Sequence, residues 1–279
     1  MKIKKIVALA LVAAMSITVL AGCGTKTTNE SGETAKEATV DMSNVTLINE
    51  GILTVGAEIG YPPFEDFADD GVTPIGYDVD LMNAIGEKMG VKVEFINTAF
   101  DGILAGIGVN YDAVASAITI TDERKEEVLF STPYISNYQA VVVPKGSDIK
   151  VSALTDLNGM SIALQKGTTS DTIMNDLKAT GSIDCTILAT EQILQGYTQM
   201  SNGEVDVVVC DSVVADGFVA SSPDKYEIAY VDSGEPEEFG VAVGLENTPL
   251  QVAINEAMAQ LDEEGYFEDA AAYWFGSGE

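Results

Sequence analysis

Apolar residues in the middle of the chain recur with two alternating periods. Residues 53–58 and 91–97 are strand-like apolar runs, and between them residues 78–89 repeat apolar positions at helical spacing. A further helix around residues 100–107 leads into a strand over residues 112–117. This order of strand, helix, strand, helix and strand predicts a parallel sheet covered by helices.

The same order recurs in a second unit. Strands alternate with helices at residues 160–165, 170–178, 184–190, 192–200 and 205–211. Gly90 is expected to end the first helix of the first unit. The extended stretches 138–144 and 239–246 are predicted to cross between the units, and helices over residues 249–264 and 266–275 follow. The sequence therefore predicts two similar α/β units joined by two crossover strands.

The N-terminal residues follow neither period. Three lysines among the first five residues precede an apolar run over residues 6–20, which is shorter than the roughly 20 residues that span a bilayer. Small residues then lead to Cys23. The segment resembles a bacterial lipoprotein signal, in which cleavage leaves Cys23 to be lipidated; an ordinary secretory signal with an incidental cysteine is the alternative.

The residues after Cys23 are polar. Residues 24–44 contain no aromatic side chain and too little apolar surface to balance the entropy of ordering. We therefore expect a signal peptide over residues 1–22 and a lipid-anchored, flexible stalk over residues 23–46.

Charge and composition narrow the range of functions. The chain of 279 residues has a formal net charge of −30, which argues against a nucleic acid partner. It has no histidine, so the usual base of hydrolase triads and the commonest transition-metal ligand are both missing. Asp66, Asp69 and Asp70 before Gly71 lack the alternation of a calcium loop and predict a hairpin turn. We expect neither a metal nor a cofactor.

Polar residues gather where the predicted strands end. In open α/β sheets, ligands bind beyond the carboxyl ends of the strands. The first strand of each unit ends at residues 58–61 and 167–170, and the third ends at residues 116–124 and at Asp211. If the two units face each other, carboxylates, a guanidinium, hydroxyls and an aromatic ring line one cleft.

Each of these residues also has a purely structural interpretation. Arg124 offers a planar fork suited to a carboxylate, or it pairs on the surface with Asp122 or Glu126. The turn before Thr169 presents N–H groups that favour an anion, or Thr169 is only a helix N-cap. Spacing alone does not separate these alternatives.

The same holds for the remaining candidates. Asp211 is delivered by its strand to a position that suits an ammonium group, or it caps the following helix. Tyr61 and Phe100 sandwich a ligand side chain, or they pack in the core.

Six segments in chain order carry a resemblance that covers almost everything after the stalk. They are LTVG at 53–56 with YPPF at 61–64, GYDVDL at 76–81, ITITDER at 118–124, QKGTTS at 165–170, VVVCD at 207–211 and YWFG at 273–276. In these segments the sequence resembles the polar amino acid family (family 3) of bacterial extracellular solute-binding proteins. These are the ligand-capturing subunits of ABC importers.

The resemblance implies a two-lobed, type II periplasmic-binding-protein-like fold of the α/β class. Each lobe would be a mostly parallel sheet covered by helices, with two crossover strands between them. Residues 47–137 and 238–279 would form lobe 1, and residues 138–237 lobe 2. Closure would bend the chain near residues 136–139 and 232–239, and the ligand would favour the closed state.

The resemblance also implies roles for the polar residues. Arg124 would bind the α-carboxylate of an amino acid, helped by Thr119 and the backbone of Thr169, with Ser170 in the same turn. Asp211 would bind the α-ammonium group.

Other positions would complete the pocket. Ser116 and Ala117 would supply hydroxyl and backbone contacts, and Ala117 departs from the hydroxyl residue frequent in relatives. Tyr61 and Phe100 would hold the ligand side chain. Glu58 stands where relatives often place a shorter Asp, which favours a ligand with a polar or basic side chain.

The implied protein is a binding component and not an enzyme. We expect a monomer, tethered through Cys23 at the extracellular face of the cytoplasmic membrane, that delivers its amino acid to ABC permease subunits. Two alternatives remain: a lyase or dehydratase on the same fold, with Glu58 as general acid or base, and the ligand-sensing module of a receptor.

The implied strand order bears on the cysteines. In the order 2-1-3, the strand over residues 160–165 separates those that carry Cys185 and Cys210. Two strand spacings give about 10 Å, which is beyond disulfide reach. We predict two free, buried thiols.

Overall fold

The computed structural model describes residues 38–276. Its strands are β1 (Ile52–Ala57), β2 (Asp66–Phe67), β3 (Pro74–Ile75), β4 (Lys92–Asn97), β5 (Ala113–Val114), β6 (Val128–Phe130), β7 (Ile135–Asn137), β8 (Gln139–Pro144), β9 (Ser161–Gln165), β10 (Thr186–Thr190), β11 (Val207–Asp211), β12 (Tyr226–Val231), β13 (Glu237–Phe239) and β14 (Ala242–Gly244). Its α-helices are α1 (Tyr77–Met89), α2 (Asp122–Lys125), α3 (Thr169–Ala179), α4 (Ile193–Ser201), α5 (Ser212–Ser221), α6 (Thr248–Glu263) and α7 (Tyr266–Phe275).

Lobe 1 is built on a five-stranded sheet in the order β4-β1-β5-β14-β6. β1 runs parallel to β4 and β5, whereas β14 is antiparallel to β5 and β6. The apolar stripe of α1, with Leu81, Met82 and Ile85, is fully buried in the core. Gly90 ends α1 in the left-handed conformation, as predicted, with φ 67°. β2 and β3 form the predicted hairpin.

Lobe 2 repeats this plan. Its sheet has the order β10-β9-β11-β8-β12, with β9 parallel to β10 and β11, and β8 antiparallel to β11 and β12. α3, α4 and α5 each follow a parallel strand. Both sheets are therefore mixed, with one reversed strand each, and the predicted two-lobed α/β fold is confirmed.

The segments that cross between the lobes differ from the prediction. Residues 138–144 and 239–246 contain β8 and β14, which belong to the two sheets. Ala140–Val143 is at most 1% exposed, and so continuous an apolar run requires a central strand buried on both faces. The chain crosses between the lobes instead at β7 and β13. These two strands form an antiparallel pair in which Asn137 lies opposite Glu237.

Two elements of lobe 1 are shorter than predicted. The helix expected over residues 100–107 is a 3₁₀ turn at Ile103–Gly106. The Tyr111 hydroxyl donates to the carbonyl of Ile103, and the Ile107 amide bonds to Leu104. A longer α-helix would need the Ile103 carbonyl for Ile107. The strand expected over residues 112–117 is paired only at β5, and its extended course ends at Ala117, where φ is 47°.

The last part of the predicted stalk packs on lobe 1. Val40 is 8% exposed, and the Thr39 amide donates to the carbonyl of Lys88 at 2.7 Å. Asn247 donates to the carbonyl of Thr46 at 3.2 Å. Residues 38–46 therefore do not form a free stalk. The prediction rested on the average composition of the segment, which does not reveal the few apolar residues that anchor it. The predicted signal peptide, Cys23 and the rest of the stalk lie outside the described residues.

The cysteine prediction is confirmed. Cys185 and Cys210 are free and buried. Cys185 immediately precedes β10 and Cys210 lies in β11, and β9 separates these two strands in the sheet. Within residues 38–276, no helix is both long and apolar enough to cross a membrane.

Candidate functional site

The carboxyl ends of the parallel strands from both lobes meet at one interlobe cavity. Its lining combines nine residues: Tyr61, Phe100, Ala117, Thr119, Arg124, Gln165, Thr168, Thr169 and Asp211. The cavity measures about 10 Å³, which is room for about one water molecule. The lobes are thus closed on each other, and an amino acid enters this space only when they separate.

A wider cleft of about 990 Å³ opens beside this cavity. The two share Phe100, Thr119, Arg124 and Thr169, so the cleft and the cavity adjoin at these residues. Its rim is acidic and carries Asp101, Glu123, Glu127, Glu235, Glu237 and Glu238. Such a rim favours the approach of cations over anions.

Asp211 ends β11 and is 6% exposed. One carboxylate oxygen accepts a hydrogen bond from the Tyr61 hydroxyl at 2.5 Å. The other accepts from Nδ2 of Asn137 at 2.5 Å and from Nε2 of Gln139 at 3.4 Å. Burial raises the pKa of Asp211 to about 7. Its side chain makes no capping hydrogen bond to α5, which excludes the capping alternative.

Arg124 faces Asp211 from the other lobe. Its Nη1 donates to the carbonyl of Thr119 at 2.8 Å, and its Nη2 crosses the cleft to the carbonyl of Gly167 at 3.2 Å. Its Cζ lies 5.7 Å from the centroid of the Phe100 ring, a cation–π geometry. Among the described residues, the guanidinium has only uncharged hydrogen-bond partners.

The surface alternative for Arg124 is not what the structure contains. Thr121 caps α2 by accepting a hydrogen bond from the Arg124 amide at 3.1 Å. Asp122 pairs instead with Lys125 at 3.0 Å, and Glu126 makes no ion pair with Arg124. The short helix therefore points the guanidinium into the cleft, with three of its five N–H donors left for a ligand.

Thr119 and Thr169 meet at a carboxylate that the sequence did not identify. Their hydroxyls donate to Oε2 of Glu237 at 3.1 and 2.7 Å. Oε1 of Glu237 accepts from Nε2 of Gln139 at 3.1 Å. Glu237 thus joins both lobes to the crossing strand β13, and each threonine has already committed its only hydroxyl proton.

Glu58 also bridges the lobes. It follows β1 and is 2% exposed. Its Oε1 accepts from Nε2 of Gln192 at 2.9 Å, and its Oε2 from Nε2 of Gln165 at 3.2 Å. Burial raises the pKa of Glu58. Because Gln165 lines the cavity and Glu58 does not, the amide stands between the carboxylate and the cavity.

Three predicted site residues lie one layer behind the cavity. Besides Glu58, these are Ser116, whose hydroxyl accepts a hydrogen bond from the Glu58 amide at 3.0 Å, and Ser170, whose hydroxyl donates to Oε1 of Gln139 at 2.6 Å. Thr168, rather than Thr169, caps α3. The other seven predicted residues line the cavity together.

Five polar contributors were missed: Asn137, Gln139, Gln165, Thr168 and Glu237. Asn137, Gln139 and Glu237 fall inside the bending segments expected at residues 136–139 and 232–239. A polar side chain in a predicted hinge was the available signal, because a hinge between two lobes borders their cleft.

Within residues 38–276, no group of three or more His, Cys, Asp or Glu side chains is arranged to hold a metal ion. One exposed ion pair also spans the cleft, between Lys166 and Asp101 at 2.7 Å. The site therefore offers one guanidinium and several carboxylates for charge recognition.

Comparison with known proteins agrees with this geometry. Residues 53–277 match the family model of bacterial extracellular solute-binding proteins, family 3, and the chain belongs to that family. It is 29% identical to the ABC transporter arginine-binding protein 1 of Escherichia coli over 80% of this chain and 90% of the relative. It is 30% identical to a probable histidine-binding protein of Neisseria gonorrhoeae over 99% of this chain and 97% of the relative.

The fold has solved counterparts. An ancestral arginine-binding protein bound to arginine has a TM-score of 0.76 and 34% identity, covering 81% of this chain and 99% of the other. The likeness therefore extends over both lobes.

Proposed function

We propose that this protein is the amino acid-binding component of an ABC importer. The observation that carries the proposal is the pairing of Asp211 with Arg124 at one closed cavity. Asp211 is buried and Arg124 is half-buried, and each is hydrogen-bonded only to uncharged groups among the described residues. An α-ammonium group at Asp211 and an α-carboxylate at Arg124 would give each of them a counter-charge in direct hydrogen-bonding contact.

Support for this assignment comes from burial energetics. A buried charge without an opposite charge is costly, whereas a well-placed ion pair recovers much of that cost. A zwitterion contacts one charge from each lobe, so its binding energy is available only when the lobes close. Ligand binding therefore stabilises the closed arrangement of the lobes.

The side chain of the ligand is proposed to be polar or basic. Tyr61 and Phe100 would flank it, and the rim of carboxylates favours cations. Glu58 would reach its far end through Gln165 or by exchanging its amide partners for the ligand. The relatives named for arginine and histidine binding agree with this choice.

The location and partners are also part of the proposal. Lipidation of Cys23 would hold the protein at the extracellular face of the cytoplasmic membrane, where a monomer passes its ligand to membrane permease subunits. Mass spectrometry of the mature protein tests the anchor: an unmodified Cys23 in protein released to the medium would contradict it.

The binding assignment is tested by calorimetry with the twenty amino acids, cystine and ornithine. We expect one or a few ligands at micromolar affinity or tighter. Arg124→Ala and Asp211→Ala should abolish binding, whereas Lys125→Ala, at the exposed neighbour of Arg124, should not. If both cleft variants bind as the parent does, the site assignment is wrong.

An activity assay on the same protein distinguishes a binding protein from a lyase. Glu58 is the carboxyl that a dehydratase would use as general acid or base. Incubation with prephenate-like substrates and with the bound amino acid should give no product. Turnover that disappears in Glu58→Gln would favour the enzyme instead.

A further inference from the structure

Ala117 adopts a backbone conformation that an alanine avoids. Its φ of 47° is left-handed, and among the described residues it is the one non-glycine residue with positive φ. The left-handed region places Cβ against the following carbonyl and is unfavourable for residues other than glycine. Ala117 also lines the ligand cavity, so this conformation occurs at the site itself. Strain at such a position needs a group that holds it.

Asp78 is that group. Its Oδ2 accepts the Ala117 amide at 2.8 Å and the Tyr134 hydroxyl at 2.8 Å, and its side chain is fully buried. With the amide turned back toward Asp78, no described donor bonds to the Ala117 carbonyl oxygen. That carbonyl is left as an unused acceptor on a residue that lines the cavity.

A second carboxyl group lies behind Asp78. Glu65 is fully buried, and its carboxyl is within hydrogen-bonding reach of that of Asp78. With both acids ionised, and therefore able only to accept hydrogen bonds, neither carboxylate oxygen of Glu65 has a hydrogen-bond partner. Oδ1 of Asp78 also has none. A single proton between Glu65 and Asp78 would satisfy the contact.

The surroundings also favour one shared proton. Among the described residues, neither acid makes an ion pair with a lysine or arginine, and the charged groups that act most strongly on Glu65 are the carboxylates of Asp78 and Glu58. Burial raises the pKa of Glu65 well above its usual range and that of Asp78 to about 6. Two adjacent buried carboxylates cannot both ionise readily. A protonated Glu65 that donates to an ionised Asp78 would give the buried oxygens a hydrogen bond and avoid two adjacent charges.

We propose that Glu65 and Asp78 form a proton-sharing carboxyl pair that positions Ala117 for ligand binding. Asp78 holds the left-handed backbone through the Ala117 amide, and Glu65 keeps Asp78 in place. Both are positioning residues that act on the ligand only through Ala117. The inference rests on the proposed amino acid binding.

The test uses glycine at position 117, because glycine adopts positive φ without the penalty that alanine meets. We expect Asp78→Asn to weaken amino acid binding by about tenfold, since its neutral side chain holds the amide less firmly. Adding Ala117→Gly to Asp78→Asn should recover most of this loss. Ala115→Gly in the same background is the matched control and should not.

Two further variants keep the test informative if Asp78→Asn does not fold. Tyr134→Phe removes one donor to Asp78 and keeps the ring, so it should weaken binding by about threefold and be rescued by Ala117→Gly. Glu65→Gln keeps a neutral donor toward Asp78 and should leave affinity within about twofold. Circular dichroism and thermal melting establish folding for every variant.

The outcomes separate the two levels of inference. If the parent protein binds no amino acid, the proposed function fails. If it binds, and Asp78→Asn binds equally well or Ala117→Gly adds to the loss instead of relieving it, the positioning role is wrong while the function stands. A large loss in Glu65→Gln would contradict the protonated state of Glu65.

Discussion

The charge state of Asp211 should make ligand affinity depend on pH. In the closed structure, burial raises the pKa of Asp211 from its ordinary value of 3.8 to about 7. A ligand ammonium group beside the carboxylate favours the charged form and lowers that pKa. Starting from the closed, unliganded state, ligand binding therefore releases a proton when the pH is below about 7, and affinity falls as the pH is lowered.

The magnitude follows from linkage. Each pH unit below the pKa of the unliganded form costs up to 1.36 kcal/mol, or about tenfold in affinity. Above about pH 7 the carboxylate is ionised in both forms, so affinity should be flat. Asp211→Asn removes the charge from a buried pair and should cost about 3–5 kcal/mol, which is about two to nearly four orders of magnitude in affinity.

Isothermal titration calorimetry measures both effects. Titrations of the preferred amino acid at pH 5, 6, 7 and 8 give the affinity profile. Phosphate and Bis-Tris buffers at one pH near 6 reveal proton release, because their ionisation enthalpies differ. Asp211→Asn is the matched control. It keeps Asp78 and the other acids, but its neutral side chain should remove the loss of ligand affinity at low pH that Asp211 causes.

Two results would refute this reasoning. Equal binding enthalpies in both buffers near pH 6 would mean that Asp211 holds no proton before the ligand arrives. An Asp211→Asn protein that binds within tenfold of the parent would mean that the carboxylate does not receive the ammonium group.

Three other predictions concern stability and the cleft. Gly76→Ala should destabilise the fold by more than about 2 kcal/mol in chemical unfolding, because its Cβ would lie 2.0 Å from a backbone carbonyl oxygen. Gly71→Ala, with open space around its Cβ, should cost only about 1 kcal/mol, and equal losses would contradict the clash. The folded protein should show two fewer reactive thiols than the unfolded one, since Cys185 and Cys210 are buried and burial raises the pKa of Cys210 to about 12; rapid labelling of either would disagree. Lys166→Ala should change ligand affinity by less than about fivefold, because its interlobe ion pair is half exposed, and calorimetry finding a larger change would assign it a direct role.

The sequence alone determined those features that depend on neighbours along the chain. Apolar periodicity placed α1, and Gly90 marked its end, because side-chain burial and the left-handed helix end are local properties. Thr121, a residue type that favours helix N-caps, caps α2. The same periodicity placed Asp211 and the turn at Thr169 at strand ends, and strand ends of a parallel sheet necessarily share one edge.

Tertiary structure decided which groups meet across that edge. Glu237 lies more than 60 residues from the threonines it binds, and Glu58 lies more than 100 residues from its two glutamines. No local pattern encodes such contacts, since they depend on how the lobes pack. β8 and β14 likewise joined the sheets only because a buried central strand suits their apolar runs.

The left-handed Ala117 is the clearest case of this division. Alanine has no local preference for positive φ, so the sequence indicates an ordinary strand there. Only the fold brings Asp78, nearly 40 residues earlier, against the Ala117 amide, and the energy of that buried contact compensates for the strained backbone.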